Sequence, residues 1–180
     1  MDPESATGNG SVPLHRRKVL VTLHRRENQG DPMRCLARAA AQLAQRGDIE
    51  IILPVHQNPA VAEALVPELC RVDGVQLTGP LDYADFVATL SASDLVLTDS
   101  GGVQEEAAVL EKPVLALRRT TERPVAIERG AAELVGTDAR QVYDRGRGPA
   151  HRTKVSTLKR AARFVRPRRC RGANRQAAHS

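Results

Sequence analysis

Aromatic residues are nearly absent from this chain: two Phe, two Tyr and no Trp among 180 residues. Cysteine is scarce as well. Cys35, Cys70 and Cys170 are scattered and odd in number, which excludes a disulfide framework and a Cys-x-x-Cys metal site. That usage fits a reducing cytoplasm and a protein without a structural metal. No apolar run approaches the ~20 residues of a membrane span, and the N-terminus has no basic-then-apolar secretory pattern. A membrane protein is therefore not expected. What remains, at 41% hydrophobic residues, is a globular composition long enough for one domain. Such a domain buries roughly 70% of its unfolded surface.

The net charge of +6 is unevenly spread. Residues 1–138 hold 20 acidic against 14 basic groups, a net charge of −6. Residues 139–180 hold 13 basic groups and one acid, Asp144, a net charge of +12. The body is acidic and the basic excess is confined to the last quarter. Arg166-Pro-Arg-Arg-Cys-Arg and its surroundings show no apolar periodicity able to dock them on a core. Three readings stand for this tail: a nucleic-acid-binding arm, a disordered solvating extension, or an altered reading frame in a GC-rich gene. The absence of fold logic across position 139 favours the last two, so nucleic acid is not an expected partner.

Residues 1–17 are small, polar and broken by Pro and Gly, and read as a flexible leader or severed linker. From Lys18 a regular alternation begins. Short aliphatic runs at 19–21, 50–53, 75–77, 95–98 and 114–117 predict buried strands, with 134–135 a further candidate. Between them, periodic stretches over 33–45, 60–69, 82–91 and 103–110 predict helices. This is the signature of βα units, hence an α/β fold with a Rossmann-like parallel sheet covered on both faces over residues 18–138. In such sheets ligands sit beyond the carboxyl ends of the strands, which directs attention to the loop after each one.

Four of those loops are polar. After the strand at 95–98 comes Asp99-Ser100-Gly101-Gly102, in which Ser100 suits a helix N-cap and the two glycines admit close backbone approach. The first amides of the following helix then form an anion or phosphate site. Glu106, about a turn inside, would repel phosphate and instead suits a pair of hydroxyls such as a ribose diol. The bland alternative is an ordinary capped helix with an acid near its positive end. The loop is neither a Walker A sequence nor a Gly-x-Gly-x-x-Gly fingerprint. His24-Arg25-Arg26-Glu27-Asn28 follows the first strand, and Pro54-Val55-His56-Gln57-Asn58-Pro59 follows the second. Arg118-Arg119-Thr120-Thr121-Glu122-Arg123-Pro124 adds cations and hydroxyls after the strand at 114–117. Two His and two Arg clusters at strand ends make a nucleotide-phosphate site the leading reading, against plain solvated loops.

These four blocks, in order and spacing from about Lys18 to Asp138, resemble the non-hydrolysing UDP-N-acetylglucosamine 2-epimerases. The resemblance implies the carboxy-terminal, UDP-binding half of a GT-B fold, with the family's amino-terminal domain and its C2 carboxylates lying outside this sequence. It implies interconversion of UDP-GlcNAc and UDP-ManNAc without metal or other cofactor, in a cytoplasmic homodimer. Carried over by position, Ser100, Gly101 and Gly102 would hold the diphosphate, Glu106 the ribose, Phe86 the uracil edge, and Arg123 the nucleotide more generally. His24 would be the catalytic residue beside the departing diphosphate. Arg25 and His56 resemble positions that touch a second, regulatory UDP-GlcNAc in some bacterial members. Leu23, Arg119 and Val125 depart from the family pattern. A UDP-sugar glycosyltransferase half and a non-catalytic UDP-binding module are the competing readings, the first opposed by the His24–Asn28 and Thr120–Pro124 blocks.

Overall fold

The computed structural model describes residues 16–119 and 132–148. Along the chain run β1 (Arg17–Thr22), a single 3-10 turn (Arg26–Asn28), α1 (Asp31–Ala44), β2 (Ile49–Pro54) and α2 (Pro59–Leu69). Then come β3 (Val75–Thr78), α3 (Tyr83–Ala92), β4 (Leu95–Thr98), α4 (Gly101–Val109), β5 (Val114–Ala116), β6 (Ala132–Leu134) and α5 (Ala139–Gly146). The strands form one parallel sheet in the order β3-β2-β1-β4-β5-β6. The expected α/β architecture is the one found. Its strand order reverses between β1 and β4, so the loops after those two strands open a crevice at the sheet's carboxyl end.

Side-chain alternation along the strands decides which helix covers which face. Val19, Val21, Ile49, Ile51, Leu53, Leu95, Leu97 and Leu115 point to one side, where they pack with buried residues of α1, α2 and α5. Leu20, Val96 and Val114 point to the other, against Leu90 of α3 and Ala107 of α4. Both faces are thus covered, as expected for parallel strands that read as continuous aliphatic runs. The helices start where local chemistry supplies acceptors for their first amides. Asn58, Asp82 and Asp138 accept from Ala60, Asp85 and Gln141 backbone N–H at 3.0, 2.8 and 2.9 Å. Arg38 and Glu68 form a two-pronged pair at 3.0 and 2.9 Å that ties α1 to α2. The guanidinium's hydrogen bonds hold the Glu68 carboxyl below its ordinary range, so this tie is complete near neutrality and weakens as acid protonates Glu68. No helix among the described residues is long and apolar enough to cross a membrane.

Two expected boundaries move. Arg17, placed in the leader, is the first residue of β1 and pairs with Ile49. Residues 139–148, placed in a tail without fold logic, are folded: α5 packs on α1 and buries Val142. Ala139, Val142, Tyr143 and Gly146 fall at i, i+3, i+4 and i+7, a helical stripe that the surrounding arginines obscure. Arg17 reinforces the contact by donating to the carbonyls of Gly146 and Gly148, a cation at the negative end of the helix. The leader at 1–15 and the tail from 149 onward lie outside the described residues.

The docking of α5 depends on a missing side chain. A Cβ at Gly146 would lie 2.7 Å from Leu43 Cδ1, inside a wholly buried leucine. Gly146→Ala is therefore expected to destabilise the fold by about 1–2 kcal/mol, overpacking outweighing the helix preference of Ala. In a Leu43→Ala background the same change should be neutral or stabilising, because the two positions share one space. Urea denaturation of the four proteins reads the coupling. Equal effects in both backgrounds would mean that α5 does not pack there.

Candidate functional site

The strand registers line up four of the polar loops in a single row. Each β1 residue faces the β2 residue 32 positions on, as Arg17 faces Ile49. It faces the β4 residue 76 positions on, as Thr22 faces Thr98. Between β4 and β5 the step is 18, as Thr98 faces Ala116. Carried just past the strand ends, those steps set His56, His24, Ser100 and Arg118 side by side across the crevice. Residues 76 positions apart in sequence, such as those of β1 and β4, are neighbours because the sheet is parallel and its order reverses there.

At the centre of the row lies a residue that sequence reasoning left without a role. Asp99 is wholly buried, and its carboxylate accepts four contacts from the loop after β1. The His24 N–H lies 3.2 Å from each oxygen, the Arg25 N–H 3.0 Å from one, and Asn28 Nδ2 3.0 Å from the same one. Asn28 also donates to the Leu117 carbonyl at 3.3 Å, so a single side chain joins the β1 loop to the ends of both β4 and β5. Beneath this, the hydroxyls of Thr22 and Thr98 meet at 2.6 Å, and Thr98 Oγ1 accepts from the Ser100 N–H at 3.0 Å. The carboxylate is held by amide donors rather than by a cation, which leaves the neighbouring guanidinium cations of Arg25 and Arg118 to another partner.

Those cations share one acid. Glu27 lies 3.3 Å from Arg25 and 3.6 Å from Arg118. Arg118 is 5% exposed, a nearly buried guanidinium beside the start of α4, and it too was assigned no individual role from sequence. The signal for both Asp99 and Arg118 was present, a charged residue at the end of an aliphatic run, but their partners are set by register.

Ser100 caps α4, its Oγ accepting from the Val103 N–H at 3.5 Å. Gly101 and Gly102 are the first two residues of the helix, and Gly102 faces open space: a Cβ there would meet only Ser100 Oγ, 3.9 Å away. Further along α4, Glu106 is half-buried and its Oε2 is buried without a hydrogen-bond partner among the described residues. A buried acceptor left unmatched is costly and marks a place where a donor belongs. Val103, Glu106 and Leu110 share one helical stripe. Val103 and Leu110 pack on the same cluster as Phe86 of α3, so Phe86 and Glu106 lie over one face of the sheet.

The ring of His24 stacks on that of His56, with centroids 5.6 Å apart and planes 28° from parallel. His24 is half-buried and His56 exposed. The structure thus brings together His24 and His56 at one end of the row, with Ser100, Gly101 and Gly102 nearer its centre, while the Arg25 side chain turns to Glu27. Arg123 falls in 120–131, outside the described residues.

A reversed-order parallel sheet with a glycine-opened helix start at its switch point defines a Rossmann-like domain of the kind paired in the GT-B fold. The chain belongs to the UDP-N-acetylglucosamine 2-epimerase family, whose model matches residues 4–167. It is 49% identical over 123 residues to the UDP-N-acetylglucosamine 2-epimerase of Salmonella borreze, covering 68% of this chain and 32% of that protein. An S. aureus MnaA–UDP co-structure is 41% identical with a TM-score of 0.69, covering 72% of this chain and 36% of that one. UDP-GlcNAc 2-epimerase from Neisseria meningitidis, bound to UDP-GlcNAc, is 32% identical with a TM-score of 0.71, covering 82% and 44%. The chain spans about a third of the length of the curated relatives it matches. The family match runs across residue 139, in keeping with the folded α5.

Proposed function

We propose that this chain is the nucleotide-binding part of an enzyme that interconverts UDP-GlcNAc and UDP-ManNAc by eliminating UDP and adding it back. One observation carries the reading: an open glycine helix start at the switch point, with an unmatched buried acceptor on Glu106 one and a half turns behind it. UDP offers both complements, a diphosphate and a vicinal diol. The Ser100 hydroxyl and the amides of Gly101 and Gly102 take the diphosphate, where the helix end favours negative charge. Glu106 accepts from the ribose hydroxyls, Phe86 packs beside the uracil, and Arg123 helps to position the nucleotide. The UDP and UDP-GlcNAc named with the S. aureus and N. meningitidis structures support this choice of ligand.

In the forward step the bond from C1 to the diphosphate oxygen breaks as the C2 proton is removed, leaving UDP and a glycal. Return of UDP with protonation of the opposite face of C2 gives the epimer. Charge builds on the departing diphosphate, and preorganised amides with a nearby imidazole, His24, stabilise it. A C2 proton without an adjacent carbonyl is weakly acidic, so its transfer needs bases placed on both faces of the ring. One imidazole beside the diphosphate cannot reach both. Those bases therefore lie on chain beyond the residues of this site, in the part of the family's length that this sequence does not span. Arg25 and His56 form a second nucleotide contact, and the working unit is a cytoplasmic homodimer.

Proton NMR of UDP-GlcNAc with the purified chain in deuterium oxide tests the division of labour. The expected result is UDP-GlcNAc binding without deuterium at C2, and exchange with UDP-ManNAc formation once an amino-terminal domain of the family is supplied. Turnover by these 180 residues alone would overturn it.

A further inference from the structure

We infer that His56 is a positioning residue for His24, holding the imidazole beside the diphosphate by ring stacking; the role of the pair rests on the function proposed above. The backbone of His24 is fixed, since its N–H binds the buried Asp99 carboxylate at 3.2 Å. Its side chain is not fixed in that way. Among the described residues the His24 ring makes no hydrogen bond, and the ring contact found is with His56, at 5.6 Å and 28°. A half-buried imidazole on a loop otherwise has several open rotamers.

His56 is held independently. Its Nδ1 accepts from the Asn58 N–H at 3.1 Å, while Asn58 Oδ1 accepts from the Ala60 N–H at 3.0 Å at the start of α2. Pro54 ends β2 and Pro59 opens α2, so the loop bearing His56 is stiff at both ends. The constant step of 32 between β1 and β2 brings the two rings face to face. An offset stack of this kind adds stabilisation beyond area alone and selects one ring orientation. His56 therefore supplies the flat wall that a catalytic imidazole needs.

Two substitutions separate stacking from loop capping. His56→Phe keeps an aromatic face and loses the Nδ1 acceptor, whereas His56→Asn keeps a polar acceptor and loses the face. Carbon-edited NMR of the His24 ring in the nucleotide-free chain reads its order, and calorimetric titration with UDP reads the consequence. Stacking predicts an ordered His24 ring in the parent and in His56→Phe, and an averaged ring in His56→Asn and His56→Ala. UDP affinity should fall about 2- to 10-fold in the latter two and be rescued in His56→Phe. Rescue by His56→Asn but not His56→Phe would assign His56 to the α2 cap and overturn the proposal, as would an unchanged His24 ring in all variants. Because ring order is read without nucleotide, failure of the parent to bind UDP while these order effects persist would strike the function and leave the positioning role standing.

Discussion

Replacing Asp99 by Ala lowers the free energy of unfolding by about 3–5 kcal/mol, a large loss for one polar side chain. The carboxylate satisfies the His24 and Arg25 backbone N–H groups and the Asn28 amide, all within 3.2 Å. Each donor left buried without a partner costs about 1–3 kcal/mol, and the sum is less than additive because the freed loop can reach water. Asp99→Asn should cost less, about 2–3 kcal/mol: one oxygen still accepts, while the new NH2 faces donors. Thermal and urea unfolding of both variants measure the order Ala, then Asn, then parent. An alanine variant within 1 kcal/mol of the parent would show that the β1 loop is held by something else.

The same residue explains how far the sequence could be read. Aliphatic runs such as Val19-Leu20-Val21 and Leu95-Val96-Leu97 announce buried parallel strands, and Asp82 and Ser100 announce helix starts, because those signals are local. The Ser100 cap and the placement of His24 and His56 just past strand ends were legible for the same reason. Pairing was not. That Asp99 would take its donors from residues more than 70 positions earlier, or that His24 would face His56, depends on strand order and register, which no local pattern encodes. The α5 helix escaped for a different reason. Its apolar stripe is made of Ala139, Val142, Tyr143 and Gly146, two of them small, and Arg140, Arg145 and Arg147 dominate its composition. A small residue that buries by closeness, as Gly146 does against Leu43, carries no hydrophobic signal at all.

The central claim, that the α4 end reads a nucleoside diphosphate by its diphosphate and its ribose separately, is most directly tested at Glu106. Glu106→Ala removes an acceptor whose Oε2 is buried and unmatched in the described structure. Of the two ligands only UDP carries the diol that would match it; in the proposed reading pyrophosphate engages the Ser100–Gly102 end alone. A hydrogen bond to a charged group is worth about 1.5–3 kcal/mol, so UDP affinity should fall about 10- to 100-fold. Pyrophosphate affinity should hold or rise, since a negative charge leaves the neighbourhood of an anion site. Calorimetric titration of parent and variant with both ligands gives the four constants in one experiment. A large loss for UDP with none for pyrophosphate is the predicted result; equal losses for the two ligands, or none for either, would contradict it.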